Sequence, residues 1–439
     1  MTRLFLIIAI AFAAALPARA DVEIEEVVSP GGITAWLVRE PSIPFMAIEL
    51  RFRGGASLDA PDTRGAINLM TSLLEEGAAD LDARAFARAQ ESLAVSFGYD
   101  VGDDALSVSG TFLSENRDEA VELLRQSIIE PSFASEALER VREQVLTGLR
   151  SDAKDPDEIA RRTFDAMAFG DHPYATDYSG TIESVTALSR DDMLAAHSAA
   201  FARDRLYVGV AGDITPEELG PLLDTLLGEL PEIGAPMPEP APVLIEGGTT
   251  VVEFETPQSV AIFGQRGIAQ DDPDYFAAAV LNQVLGAGGF ESRLMDEVRK
   301  KRGLTYGVYS YLAPQDYAAT LQGQVASANE SIAEAVSVIR DEWARAAAEG
   351  ITLKELDAAK TYITGAYPLR FDGNGPIARI MVGMQMLGLP IDYIATRNDK
   401  VDAVTLEDVS RVAGELLDPE NLHFVVVGQP VGLESSVAN

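Results

Sequence analysis

Leu206-Tyr207-Val208-Gly209-Val210-Ala211-Gly212 and Leu422-His423-Phe424-Val425-Val426-Val427-Gly428 lie 216 residues apart and share one pattern, a run of strand-forming residues that ends in glycine. At the same offset, with no gap, Val185-Thr186-Ala187-Leu188-Ser189-Arg190-Asp191-Asp192-Met193 falls over Val401-Asp402-Ala403-Val404-Thr405-Leu406-Glu407-Asp408-Val409. Ser189 and Thr405 then occupy N-cap places with acidic residues in the turn that follows, so each copy reads as a capped helix feeding a buried strand. A weaker echo lays Met46-Ala47-Ile48-Glu49, and a helix after Pro61, over Val260-Ala261-Ile262-Phe263 and a helix after Pro273. Self-similarity at so long a period means one unit written twice.

Between the copies, Leu230-Pro231-Glu232-Ile233-Gly234-Ala235-Pro236-Met237-Pro238-Glu239-Pro240-Ala241-Pro242 can join neither a helix nor a central strand. The expected division is therefore a first domain at 21–228, a proline-rich connector at 229–248 that permits some relative movement, and a second domain at 249–439. Within each half, alternating runs such as Leu106-Ser107-Val108-Ser109-Gly110-Thr111-Phe112 read as half-buried strands, and amphipathic stretches at 117–129, 134–151 and 329–348 read as helices. Strands and helices mixed without strict βαβ alternation predict an α+β fold: two homologous tandem domains, each a mostly antiparallel sheet covered by helices.

Arg3, the apolar run from Leu4 to Phe12 and the closing Ala18-Arg19-Ala20 have the layout of a secretory signal peptide, with cleavage expected after Ala20. The apolar run is short for a membrane span and nothing later approaches about 20 apolar residues, so no stable membrane insertion is expected. A bacterial periplasm fits this start. With no cysteine in the chain, stability has to come from its cores alone. The 69 acidic against 34 basic residues give a net charge of −35, which repels phosphate backbones and excludes nucleic acid as a partner class. Such acidity serves solubility first and attraction of basic or unfolded peptides second.

The run Gly65-Ala66-Ile67-Asn68-Leu69-Met70-Thr71-Ser72-Leu73-Leu74-Glu75-Glu76-Gly77 reads as an amphipathic helix with a polar stripe at Asn68, Thr71 and Ser72. An amide and two hydroxyls are poor zinc ligands, and neither hydroxyl is a general base near neutral pH without an activating neighbour. The only histidines are His172, His197 and His423. No cluster of imidazole or thiolate ligands is therefore expected in one subunit. Gly286, Gly288 and Gly289 are not followed by the Lys-Ser/Thr pair of a phosphate loop, so a tight turn is the better reading.

Four pieces in fixed order carry a resemblance: Arg53-Gly54-Gly55-Ala56-Ser57-Leu58-Asp59 followed by Gly65 and the helix; His172-Pro173-Tyr174 with Gly180-Thr181 behind it; the strand ending Ala211-Gly212-Asp213; and Gly286-Ala287-Gly288-Gly289-Phe290-Glu291-Ser292-Arg293-Leu294 leading into Glu297-Val298-Arg299-Lys300-Lys301-Arg302-Gly303-Leu304-Thr305-Tyr306-Gly307-Val308-Tyr309-Ser310. Together they resemble the pitrilysin or insulinase-like metallopeptidases, the inverted-zincin family that includes the mitochondrial processing peptidase and bacterial two-subunit relatives. The resemblance covers nearly all of residues 21–439 and implies a half clamshell of two domains. In active relatives the first helix carries H-x-x-E-H. Transferred here, the two ligand places hold Asn68 and Ser72, the base place holds Thr71, and the third ligand falls at Thr147-Gly148-Leu149. All four roles are lost, and nearby Glu143 reads as a solvated helix residue rather than a displaced ligand.

The resemblance also implies an Arg and a Tyr seven residues apart that reach the substrate from the second domain, and Arg299 with Tyr306 has that spacing. Arg302 and Tyr309 are the fallback pair. The plainer alternative makes Arg299 part of a basic surface cluster with Lys300, Lys301 and Arg302, and Tyr306 a core aromatic. The expected function is a subunit with no metal or cofactor of its own, inactive alone. A homologous H-x-x-E-H partner would bring the zinc, this chain would supply Arg299 and Tyr306, and peptide or unfolded protein would be the substrate. The competing expectation is a catalytically silent peptide-binding or scaffold protein of the same fold.

Overall fold

A computed structural model describes residues 22–436, and the expected signal peptide at 1–20 lies outside the described residues. From edge to edge the first sheet runs β1 (Glu25–Val28), β2 (Thr34–Arg39), β8 (Leu206–Gly212), β3 (Phe45–Arg53), β7 (Ala105–Leu113) and β6 (Ser96–Val101). A two-residue hairpin, β4 (Gly77–Ala78) with β5 (Leu81–Asp82), stands apart from it. The second sheet runs β11 (Thr305–Pro314), β12 (Ala319–Ala328), β10 (Gln258–Arg266), β13 (His423–Gly428) and β9 (Gly248–Glu253). Every neighbouring pair in these two sheets is antiparallel except β2–β8 and β9–β13, which recur at matching places in the two halves. The mostly antiparallel α+β fold expected from the sequence is present.

The repeat has local causes in both copies. Ser189 starts the helix Arg190–Ala200 and Thr405 the helix Leu406–Leu416, each closing a capping box with the Asp three residues on. Each box satisfies two otherwise orphaned amides and is worth roughly 1 kcal/mol. Gly212 and Gly428 end their strands where an added Cβ would stand 2.4 Å from the Phe45 carbonyl oxygen and 2.8 Å from the Ser259 Cα. The weaker echo needs a correction. Met46 pairs with Gly212, whereas Val260 pairs with Val427, so the repeat aligns Met46 with Ser259 and the overlay of 46–49 on 260–263 is one residue out. Because side chains alternate, such a slip exchanges inward for outward positions along the whole strand.

Each half covers its own sheet on one face and its neighbour's sheet on the other. The helix Pro156–Phe169 of the first half lays Ala160, Phe164, Ala168 and Phe169 on Val260, Ile262, Val425 and Val427 of the second sheet. In return the helix Asn374–Met386 lays Ile377, Met381 and Met384 on Trp36, Val38 and Ala211 of the first. Gly209 is required by this exchange, since a Cβ there would meet the Ala378 carbonyl oxygen at 2.5 Å. The β11–β12 turn adds polar links: Arg53 pairs with Asp316 at 3.3 Å, and Asp104 accepts from the Asp316 amide at 3.1 Å and from the Tyr174 hydroxyl. No helix or strand forms from 229 to 247. That segment still bonds both halves, through the Ala235 amide to Ala199 and the Ala241 amide to Tyr317. Movement about the connector would strip the exchanged helices from their sheets, so the connector is no free hinge.

Candidate functional site

The helix predicted across 65–77 is shorter, Ala66–Thr71, with Ser72 as its C-cap. Its own polar stripe accounts for the end. Thr71 Oγ1 donates back to the Ile67 carbonyl at 2.7 Å and Ser72 Oγ to the Asn68 carbonyl at 3.0 Å, a local competition that loosens a helix. Tighter turns follow, with the Leu73 and Leu74 amides bonded three residues back, until Gly77 at φ 125° enters β4.

The start of that helix is firmly built. Buried Asp59 accepts from the Gly65 amide at 2.8 Å and the Ile67 amide at 3.0 Å, while Arg64 Nη1 donates to the Asp59 carbonyl at 2.8 Å. Burial pushes the Asp59 carboxyl up to about 7 despite those amides and the Arg64 charge. Gly65, at φ 88°, has no room for a Cβ, which would lie 2.5 Å from the Ser179 carbonyl oxygen. Gly180, at φ 82°, meets the Arg64 carbonyl oxygen in the same way at 2.3 Å. The Arg53–Asp59 piece, Gly65 and the Gly180-Thr181 piece, far apart in sequence, are thus one junction that holds the short helix against its neighbours.

What the junction holds does not fit zinc. Asn68 is half-buried, Thr71 buried and Ser72 exposed, and none offers an imidazole, thiolate or carboxylate. At the third-ligand place Thr147 Oγ1 donates to the Glu143 carbonyl at 2.7 Å, and the exposed Glu143 carboxylate lies 3.6 Å from Arg150. The three histidines lie apart and are engaged: His172 with the Glu239 carbonyl and Tyr174 amide, His197 with the Ile128 carbonyl, and His423 with the Glu246 carbonyl and Thr250 hydroxyl. Among the described residues no three His, Cys, Asp or Glu side chains are gathered as a metal-binding group.

In the second half, two π-helical turns, Gln283–Ala287 and Met295–Lys300, flank the glycine-rich loop. Such turns are rare and concentrate at functional sites. The basic cluster 299–302 divides there. Lys301 bonds Glu297 at 2.7 Å, Arg302 bonds the same carboxylate at 2.7 Å, and Lys300 lies 4.0 Å from Glu291. Arg299 alone of the four has no carboxylate within 4.0 Å among the described residues; its guanidinium stacks 4.5 Å from the centroid of half-exposed Phe290, whose contribution the sequence reading missed. Tyr306 is 85% exposed and so is no core aromatic, whereas Tyr309, 47% exposed, donates to Gln324 Oε1 at 2.6 Å. The fallback residues Arg302 and Tyr309 are therefore occupied, while Arg299 and Tyr306 present free heads. No hydrogen bond joins those two.

The outer strands differ in what they leave open. The β6–β7 hairpin closes with the Gly102 amide on the Ala105 carbonyl at 2.9 Å, so the backbone groups of Phe97, Tyr99 and Val101 point to the free edge, where none has a partner among the described residues. On β11 two outward groups are engaged: the Val308 amide meets Met295 Sδ at 3.4 Å and Asn282 Nδ2 donates to the Ser310 carbonyl at 3.3 Å. Gly286 is needed for that packing, since a Cβ would lie 2.5 Å from the Ser310 amide nitrogen. The glycines mark a tight turn, as expected.

Comparison with known proteins agrees with this geometry. A family profile described as insulinase (peptidase family M16) matches residues 35–181, and one described as peptidase M16 inactive domain matches 187–363. The chain is 29% identical over 391 residues to the non-peptidase homolog YmxG of Helicobacter pylori, covering 88% of this chain and 89% of that one. It is 27% identical to an uncharacterized zinc protease of Mycobacterium leprae, covering 89% and 88% of the two chains. A Pseudomonas fluorescens structure described as a peptidase M16 inactive domain superposes with a TM-score of 0.87 at 28% identity, over 94% of this chain and 99% of that one. A Helicobacter pylori protease structure shares the fold at a TM-score of 0.84 and 17% identity. With both halves matched by family models and the whole described fold shared with a solved member, the chain belongs to the M16 peptidase family.

Proposed function

We propose that this chain is the non-zinc subunit of a heterodimeric periplasmic peptidase, exported as residues 21–439 and paired with a homologous subunit that carries H-x-x-E-H. One contrast supports the reading: the 66–71 helix has no metal donor set, while Arg299 keeps an unpaired guanidinium and Tyr306 an exposed phenol. In this assembly the partner's H-x-x-E-H would hold the metal and supply the activated water. Arg299 holds a substrate carbonyl or terminal carboxylate by charge-assisted bonds, and Tyr306 donates to the oxyanion that develops at the cleaved peptide. Unfolded peptide adds as an extended strand on the open edge of β6, where backbone bonding gives affinity with little sequence preference. The name of the Helicobacter pylori relative, a non-peptidase homolog, suits a chain that does not cleave by itself.

The second reading, a silent peptide-binding or scaffold protein, draws on the same open β6 edge and needs neither Arg299 nor Tyr306. Turnover of an unfolded protein separates the two. The 21–439 chain is mixed with an H-x-x-E-H homologue, and labelled casein is the probe. The subunit reading predicts no cleavage by this chain alone, cleavage by the mixture, and a drop of about 100-fold in kcat/KM for Arg299→Ala or Tyr306→Phe, the scale of one lost oxyanion contact. Mixtures indifferent to both substitutions establish the scaffold reading instead.

A further inference from the structure

β11 departs from the two-residue rhythm of a strand at the place where Tyr306 stands. Thr305 pairs with Ser327 and Val308 with Val325, so Tyr306 and Gly307 together face the single residue Ala326 on β12. That is a β-bulge, a device that re-aims side chains. From Val308 onward the alternation is regular, with Val308 and Ser310 buried and Tyr309 and Tyr311 outward. Continued without a break, it would turn Tyr306 inward beside Val308. Instead Thr305 takes the buried place, 9% exposed, and Tyr306 is thrown out to solvent.

A bulge gives up ladder hydrogen bonds and lasts only where something replaces them. Here the Thr305 hydroxyl does so. It accepts from the Gly307 amide at 3.0 Å and lies 2.6 Å from the Ala326 carbonyl oxygen and 2.8 Å from that of Gly307, donating its one proton to either. On the same corner Ser327 Oγ donates to the Leu304 carbonyl at 2.5 Å. The hydroxyl therefore bridges both strands across the irregular step.

We propose that Thr305 is a positioning residue for Tyr306, its hydroxyl stabilising the bulge that directs the phenol outward; the claim rests on the reading of Tyr306 as an oxyanion donor. Thr305→Val keeps the volume and β-branching and removes only the hydrogen-bonding group, and Thr305→Ser keeps the hydroxyl. Amide exchange at Gly307 is measured on the full-length chain, and kcat and KM on labelled casein with the H-x-x-E-H homologue. Thr305→Val should exchange Gly307 about tenfold faster, the loss of one hydrogen bond. It should lower kcat with little change in KM, and cost little further in a chain already carrying Tyr306→Phe, while Thr305→Ser restores both readouts. Should Thr305→Val fail to fold, Thr305→Ala removes the same group. Unchanged Gly307 protection without the hydroxyl, or a normal kcat for Thr305→Val where Tyr306→Phe lowers it, overturns the proposal. If Tyr306→Phe itself leaves kcat unchanged, the oxyanion reading falls, and the exchange at Gly307 still decides the bulge.

Discussion

Removing the Phe164 ring tests whether the exchanged helices make the two halves one folding unit. Phe164 belongs to the first half in sequence, yet it is fully buried on the second sheet, with its ring against Gly264 of β10. A Phe→Ala change in a closed core costs about 3–5 kcal/mol, and the site has no slack on the sheet side, where Gly264 already leaves no room for a Cβ. The chain supplies its own reporters, because its two tryptophans divide between the halves. Trp36 lies beneath the 374–386 helix, and Trp343 lies in the second core, bonded to Gln265 at 2.8 Å. Urea unfolding of Phe164→Ala, followed by fluorescence in Trp36→Phe and Trp343→Phe backgrounds, should show one transition displaced by the same 3–5 kcal/mol at either reporter. A displaced transition at one tryptophan and an unmoved one at the other would refute the coupling.

Gly65→Ala forces a Cβ into left-handed backbone against Ser179, and should lower the urea midpoint by the equivalent of at least about 1–2 kcal/mol. Burial holds the His423 ring below its ordinary value, with both ring nitrogens already engaged by neutral partners. A depressed folded-state value means stability that is present above about pH 6.5 and lost as pH falls through the folded value. Unfolding free energy measured from pH 8 to pH 5 should therefore decline, and His423→Gln should remove that part of the slope; equal slopes would rule His423 out as the cause. In the mixed-subunit assay Arg302→Ala should leave turnover within about twofold, since its charge is spent on Glu297, while Arg299→Ala should not. Equal losses would show that the whole basic cluster acts together.

The tandem architecture was legible because its signals are local: Ser189 and Thr405 cap, Gly212 and Gly428 close strands, and prolines separate the copies. The relative register of β3 and β10 was less legible, since β10 is buried on both faces and carries no alternation to set against that of Ile48 to Arg53. Nothing in the amphipathic pattern of 156–169 or 374–386 says which sheet a helix will cover, and that exchange is visible only in three dimensions. At the site, Asn68, Thr71 and Ser72 already excluded the donor set from the sequence, whereas the early end of their helix depends on back-bonding by two hydroxyls. Arg299 and Tyr306 match the seven-residue spacing that the family resemblance implies. Their distinction from Arg302 and Tyr309 lies in which carboxylates and amides are near, which spacing does not encode. The bulge at Tyr306 had one overlooked signal, a glycine inside an otherwise regular strand pattern.

Zinc per polypeptide separates a metal-free subunit from a self-sufficient metallopeptidase. The tagged chain is drawn from its native compartment, separated by size, and assayed for metal across the elution. No bound zinc is expected on the isolated 21–439 chain, and one zinc per pair in the fraction where it travels with an H-x-x-E-H homologue. One tightly held zinc per single chain, together with chelator-sensitive proteolysis in that fraction, would contradict that expectation.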